Sequence, residues 1–378
     1  MFPKKKIQIK RHLFYETSHS PSLADIVGAD MLKHIVDFCF IANPYYPDKK
    51  LLKLLQQQLP MLIKSYPSSN CKIAQRYLSE VLHVDPNNLI IGNGATELIT
   101  IIVKNLIDEI AIPVPTFSEY TEKIRKEDAA KLYQLPADKA YQLDLTDYAA
   151  WIDANKVTSA LIINPGNPTG QLLPLAQMKA FLSQMAHLKM IIVDESFIDF
   201  AGENIPSLLP SIDGFKNLVL VRSMSKHCGV PGLRLGYCCS SNPDFLLEMR
   251  KHIPVWNINT VAEYFLTQLK RTDPQYHAAR LRVIADVRYL YEELKKIDGF
   301  FVYPTGSNFV LIKCTCGIKA TELQHLLLEN YHAYVRDCSN KVGLDAYHIR
   351  VASQGKKKDK FLIEALKDIS MKHKKNND

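Results

Sequence analysis

A chain of 378 residues, 47% hydrophobic and 23% charged, can bury a large core and divide into more than one unit. No apolar run approaches the roughly 18 residues of a membrane-span candidate, and no recognisable nucleic-acid-binding motif accompanies the formal net charge of +8. Much of that excess lies at the ends, in KKKIQIKRH and in GKKKDKF with MKHKK, which points to solvated termini and some attraction for small anions. The basic start has no apolar signal core, so a cytoplasmic protein is expected. The eight cysteines include no C-x-x-C pair and no zinc-finger spacing, which favours reduced, buried thiols over disulfides or a metal site.

Residues 1–50 are irregularly punctuated and read as an arm lying near a site. Residues 51–274 alternate short β-rich runs with helical patterns. NNLIIGNGATELITIIVKNL predicts a strand, a glycine turn and a helix; IAIPVP, SALIINPGNP, MIIVDESF and LVLVRSMS predict further strands ending in turns. PLAQMKAFLSQMAHL predicts an intervening helix. Near-continuous apolar strands suit a mainly parallel sheet covered on both faces, so the large unit is α/β. From residue 275 to 378 the pattern becomes that of a smaller α+β unit. HAARLRVIADVRYLYEELKKI reads as one long amphipathic helix, and FFVYP, NFVLIKC, AYVRDC and YHIRVAS read as strands.

Ligands of open parallel sheets bind at the carboxyl ends of the strands. Polar residues gather there: Asn93 and Gly94, residues 164–170, Asp194, and Ser223 to Lys226. Taken alone, each has a plain structural reading. GNGATEL is a turn before a helix, whose free N–H groups also suit a phosphate. Phe117 in PTFSEY is a core aromatic or a ring-stacking one. NPGNPTG is a rigid turn that could also present an amide donor. Asp194 ends an apolar strand, where a carboxylate is costly unless it meets a cation. Lys226, set among Ser223 and Ser225 with Arg234 following in a glycine-bracketed turn, is either a solvated lysine or a desolvated nucleophile. One cofactor uses all of them. Pyridoxal 5′-phosphate needs a lysine for its aldehyde, a carboxylate for its ring nitrogen, a donor for its phenolic oxygen, an aromatic cover, and an anion cup for its phosphate.

In this order the motifs resemble the fold-type I pyridoxal-phosphate enzymes of the class I/II aminotransferase group, over nearly the whole chain. The resemblance implies a large domain with a mainly parallel central sheet plus a smaller C-terminal domain. It implies that Lys226 binds the aldehyde, that Asp194 meets the ring nitrogen, that Asn167 donates to the phenolic oxygen and that Phe117 stacks on the ring. Ala95, Thr96, Ser223, Ser225 and Arg234 match the phosphate cup. Tyr66, in SYP, matches a tyrosine supplied by a neighbouring subunit, which implies a homodimer. Arg350, in YHIRVAS, matches an arginine that meets the substrate carboxylate.

The motifs resemble two branches of the group. GNGATELI, PTFSEY, DESFIDF, VPGLRLGY, WNIN and VRDCSNKVGLDAYHIRVA are similar to L-threonine-O-3-phosphate decarboxylase, an enzyme of cobalamin side-chain synthesis; histidinol-phosphate aminotransferase is the alternative. Phe197 stands where the aminotransferases usually carry a tyrosine. Arg336 resembles an arginine that binds the substrate's own phosphate, where a bidentate fork is suited. His19 resembles a histidine of the family's arm, and Asn43 is assigned to the substrate side. The arm departs from the decarboxylase pattern: HSPS and DFCFIANPYYP put Ile41 where asparagine is common and Tyr46 where glycine is common, and both are expected to alter the substrate side of the pocket. The expected reaction is decarboxylation of a phosphorylated small amino acid, with transamination as the alternative. Which occurs depends on whether the carboxylate or the hydrogen on Cα is held perpendicular to the ring.

Overall fold

The computed structural model describes residues 7–15, 20–124 and 127–377. In chain order the strands are β1 (Val36–Asp37), β2 (Leu89–Asn93), β3 (Ile110–Val114), β4 (Ala130–Gln134), β5 (Ser159–Ile163), β6 (Met190–Asp194), β7 (Leu218–Ser223), β8 (Leu235–Cys239), β9 (Phe300–Val302), β10 (Phe309–Cys314), β11 (Ala333–Tyr334), β12 (Arg336–Asp337) and β13 (His348–Ala352). Seven of them form the large sheet, in the order β2-β8-β7-β6-β5-β3-β4. All its pairs are parallel except those of β8, which runs antiparallel to both neighbours.

Side chains alternate across the sheet because successive Cβ atoms point to opposite faces. Ile191, Val193, Leu218 and Leu220 enter one core, under the helices Lys72–Leu82, Leu145–Ala154, Leu175–Gln184 and Thr260–Gln268. Ile192, Val219 and Val221 enter the other, against Ala95–Ile101 and Pro243–His252. Both faces being buried explains why the strands read as unbroken apolar runs. The reversed β8 has a local consequence. It begins where β7 ends, with Ser223 paired opposite Gly236, so Arg234 emerges at the same sheet edge as Lys226.

The small unit is a four-stranded sheet, β12-β13-β10-β9, antiparallel throughout. Its core joins Leu290 and Leu294 to Val310, Ile312, Leu323, Leu327, Ile349, Val351, Leu362 and Leu366. The helix Asp273–Leu294 ties the units together: Ala279 belongs to the large core, Leu290 and Leu294 to the small one.

AYVRDC does not form one strand. It breaks at Val335 into β11, which pairs in parallel with β1 of the arm, and β12, which pairs with β13. The arm therefore lies on the small unit, where Ile26 and Cys39 meet Leu328 and Tyr334. It then crosses to the large unit. The Asn43 backbone N–H donates to the Lys226 carbonyl at 2.8 Å. Gly229, at φ +61°, is packed so closely under the Tyr46 carbonyl that any Cβ would collide with it.

All eight cysteines are free, and seven are buried. Among the described residues no helix is long and apolar enough to cross a membrane.

Candidate active site

One cavity opens at the carboxyl edge of the large sheet, closed on the other side by the arm and the small unit. Eleven of the cofactor- and substrate-site residues named from sequence line it: Ala95, Thr96, Phe117, Asn167, Asp194, Ser223, Ser225, Lys226, Arg234, Arg336 and Arg350; Ile41 and Phe197 line it too.

The large-unit half is built on strand ends. Gly94, at φ +83°, turns the chain after β2 into the helix Ala95–Ile101. An added Cβ at Gly94 would stand 2.5 Å from Arg234 Nη2, and one at Gly236 would collide with the Ala95 nitrogen. The missing side chains let the guanidinium and β8 close directly on the helix start. Arg234 itself is held in the left-handed region, at φ 53° and ψ 64°, a conformation of order 1–2 kcal/mol above the ordinary one for a residue with a Cβ. Free helix N–H groups, an arginine and the hydroxyls of Thr96, Ser223 and Ser225 make an anion cup.

Asp194, the last residue of β6, is 4% exposed. It accepts hydrogen bonds from Tyr120 Oη at 3.0 Å and from the Ser196 backbone at 2.9 Å. Burial raises its pKa; the Ser196 and Tyr120 bonds and the Lys226 charge pull the other way. Lys226 sits in the short helix Met224–His227 that follows β7. Burial, then the charges of Arg350 and Arg234, push its ammonium down to about 8, against the opposing effect of Asp194. A lysine so placed is a usable nucleophile near neutral pH.

Asn167 is fixed by its neighbour. Arg350 Nη1 donates to Asn167 Oδ1 at 2.8 Å, which leaves the amide NH2 as the group able to donate into the cavity. The turn carrying it is pinned by Asn164, whose side chain exchanges two hydrogen bonds with the backbone of Leu173.

The small unit supplies the facing wall. β12 sets Arg336 directly opposite Arg350 on β13. Like charges opposed across strands repel, so the pairing makes a strongly positive wall. Arg350 Nη2 donates to the Cys39 carbonyl at 2.8 Å, while its Nε is buried with no hydrogen-bond partner among the described residues. Arg336 donates to Ser20 Oγ at 3.1 Å and to Asn340 Oδ1 at 2.9 Å. Beside them Ile41, Phe197, Phe309 and Ala352 form an apolar cluster, the two phenyl rings edge to face at 5.1 Å. Ile41, a departure from the decarboxylase pattern, and Phe197, which replaces the aminotransferases' usual tyrosine, thus share one surface.

Two arm residues expected on the substrate side, Tyr46 and Asn43, lie elsewhere. Tyr46 does not touch the substrate side. It is buried in the large core, its Oη 2.6 Å from Thr272 Oγ1 and its ring against Phe265 and Tyr276. Asn43 is outside the cavity lining as well. Its Nδ2 donates to the His227 carbonyl at 3.0 Å and its Oδ1 accepts from the Tyr45 backbone, so its polar atoms serve the arm's grip on the lysine helix. Tyr66 is 79% exposed, its ring 4.7 Å from Trp256 and apart from this chain's own cavity. His19 lies outside the described residues.

Sequence reading passed over Tyr120 and Lys341. Tyr120 lies within PTFSEY, and Lys341 within VRDCSNKVGLDAYHIRVA. Lys341 lines the cavity beside Arg336 and donates to Ser118 Oγ.

The donor set fits pyridoxal 5′-phosphate. A depressible amine, a buried carboxylate, a free amide NH2 and an anion cup that two added methyl groups would fill lie on adjacent strand ends.

A family model described as aminotransferase class I and II matches residues 61–364. The chain is 34% identical to the L-serine phosphate decarboxylase of Sulfurospirillum multivorans, over 93% of each protein. It superposes on the solved structure of a decarboxylase from the same organism with a TM-score of 0.84, at 34% identity, covering 93% of this chain and 92% of that one. The histidinol-phosphate aminotransferase of Clostridium acetobutylicum superposes with a TM-score of 0.82, at 28% identity, covering 89% and 100%.

Proposed function

Because this chain belongs to the aminotransferase class I and II family, whose cofactor is pyridoxal 5′-phosphate, we propose that it decarboxylates a phosphorylated small amino acid, with L-serine phosphate as the first candidate. The observation that carries the reading is the cross-strand pair of Arg336 and Arg350. Two arginines opening into one cavity suit two anionic groups on one substrate, a phosphate and a carboxylate. The similarity to L-serine phosphate decarboxylase supports the same choice.

Bound pyridoxal phosphate supplies an electron sink conjugated to the substrate's Cα. The residues of the chain do the rest. Lys226 would hold the aldehyde and, once released, would lie close to Cα. Asp194, kept in place by Tyr120 and Ser196, holds the proton on the ring nitrogen. Asn167 directs its NH2 at the phenolic oxygen, and Arg350 keeps the asparagine turned that way. Arg350 also orients the carboxylate. Arg336 would hold the distal phosphate, so the substrate would be fixed at both ends and its rotation about Cα restricted. Loss of the carboxylate as CO2 leaves Cα one proton short, and Lys226, protonated from solvent, would supply that proton to the same carbon. With L-serine phosphate the product is ethanolamine phosphate. The apolar surface of Ile41 and Phe197 lies close by and disfavours a localised charge there relative to one spread over the ring.

We infer a homodimer in which Tyr66 reaches the neighbouring subunit's cavity. Tyr66, Ile63, Val255 and Trp256 are large apolar side chains that are more than half exposed, as a surface covered by a second copy would be. A cytoplasmic location agrees with the eight free thiols.

The deciding experiment is mass spectrometry of the loaded enzyme with L-serine phosphate and L-threonine phosphate, with and without 2-oxoglutarate. Expected is CO2 release and ethanolamine phosphate without the keto acid. Glutamate formation that depends on the keto acid would move the protein to the aminotransferase branch.

A further inference from the structure

Lys341 is the cavity lysine to which the mechanism gives no part. It lies in the turn between β12 and β13, where its backbone N–H donates to the Cys338 carbonyl at 3.0 Å and its carbonyl accepts from the Leu344 N–H at 3.0 Å. These bonds aim the side chain across the cavity to Ser118, the residue after the ring-stacking Phe117. The groups acting on it are Arg336 on β12, Arg350 on β13, Cys338 in the turn and Glu122 on the facing helix Glu119–Glu122. Its hydrogen-bond acceptor is a neutral hydroxyl. An ammonium beside two guanidiniums, bonded to a serine, is in poor electrostatic company until an anion arrives.

The charges of a phosphorylated amino acid match this wall. Near neutral pH its phosphate carries about −1.5 to −2 and its carboxylate −1. Arg336, Lys341 and Arg350 together carry up to +3. An ordinary amino acid, with one carboxylate to offer, leaves two of those charges unanswered. We propose that Lys341 is a second cationic anchor for the substrate's phosphate, acting beside Arg336, with Ser118 holding it in position until the phosphate arrives. This rests on the reading of the substrate as a phosphorylated amino acid. Burial and Arg336 push Lys341 down to about 8, so phosphate binding must draw the proton back on as pH rises.

The test is calorimetric binding to the loaded enzyme. Ethanolamine phosphate, which has no carboxylate to lose, reports on the phosphate site; ethanolamine and L-serine are the unphosphorylated controls. Lys341→Met is expected to weaken ethanolamine phosphate about 10–100-fold and L-serine by less than about twofold. Lys341→Arg is expected to stay within about fivefold of wild type. Wild-type affinity for ethanolamine phosphate should fall above about pH 8, and that limb should vanish in Lys341→Arg, whose charge does not titrate there. If Lys341→Met does not yield a loaded enzyme, Lys341→Gln, which keeps a donor toward Ser118, is used instead, with the same expectation. Unchanged phosphate affinity in the neutral variant, or equal loss for ethanolamine phosphate and L-serine, overturns the anchor and leaves the proposed substrate class standing. A wild-type enzyme that holds ethanolamine phosphate no tighter than ethanolamine overturns the substrate class, and the anchor with it.

Discussion

The two halves of the cavity each contribute a lysine, and the two lysines have been brought to nearly the same condition by different means. Lys226, at the end of β7, is pushed down to about 8 by burial and then by Arg350 and Arg234. Lys341, in the β12–β13 turn, is pushed down to about 8 by burial and then by Arg336. What separates them is their surroundings. Lys226 faces the Phe197 ring at 6.0 Å and carries the influence of Asp194, in the half that fits the cofactor. Lys341 is bonded to Ser118 amid cations, in the half proposed to hold the phosphate. A depressed lysine is therefore only a capacity. Nearby groups decide whether it is used as an amine or as a cation.

The sharpest way to separate the halves is to remove the reactive amine. Lys226→Ala should lower turnover by about 10⁴-fold or more and abolish the absorbance of lysine-bound cofactor, while ethanolamine phosphate still binds. Parallel loss of phosphate binding would show the halves to be one unit. Next, Asp194→Ala should reduce turnover about 10²–10³-fold, since the ring nitrogen loses its anionic partner; steady-state kinetics would reject the assignment if turnover stayed at the wild-type value. On the opposite wall, Arg336→Ala should raise the KM for L-serine phosphate about 30-fold or more with cofactor affinity unchanged, and an equal fall in both would break the distinction.

The pH dependence of cofactor capture sharpens it further. Only neutral Lys226 attacks the aldehyde. In the unloaded protein the rate should therefore rise about tenfold per pH unit up to about pH 8 and level off above it, as followed by stopped-flow absorbance. Lys341→Met should leave that profile in place. The smallest effect is expected from Phe197→Tyr. A phenol placed in the Ile41–Phe309 cluster should change turnover by less than about tenfold while altering the pH dependence of the cofactor's absorbance.

These halves also differ in how far the amino-acid sequence reveals them. In the large unit, most cofactor-side residues follow closely on an apolar run, and a parallel sheet brings such ends together whatever the intervening helices do; Arg234 instead precedes the antiparallel β8. Asp194 after MIIV and Lys226 after LVLVRS could be placed from the local pattern. Tyr120 escaped because its role depends on a hydrogen bond from its helix to Asp194 on β6, 74 residues away in sequence. The facing wall offers no such rule. Lys341 lies in a polar turn that resembles any solvated loop, and its position follows from the packing of the small unit against the segment of Ser118. The arm misled for a related reason. Asn43 and Tyr46 stand beside Ile41 in the sequence, yet the turn rotates them toward the lysine helix and the core while Ile41 stays in the cavity. The break of AYVRDC at Val335 depends on a partner strand roughly 300 residues away, which local propensity does not record.

The arm's grip on the lysine helix has a consequence for the birth of the protein on the ribosome. Asn43 leaves the peptidyl-transferase centre 184 residues before its acceptor at His227. At roughly 5–20 residues per second, the wait is on the order of ten to forty seconds. For that time Phe38, Ile41 and Tyr46, all buried in the finished fold, have no completed surface to enter. β1 waits longer still, because Ala333 and Tyr334 are translated later than the lysine helix. This early apolar segment is thus among the last to find its place, and through those seconds its side chains stay exposed.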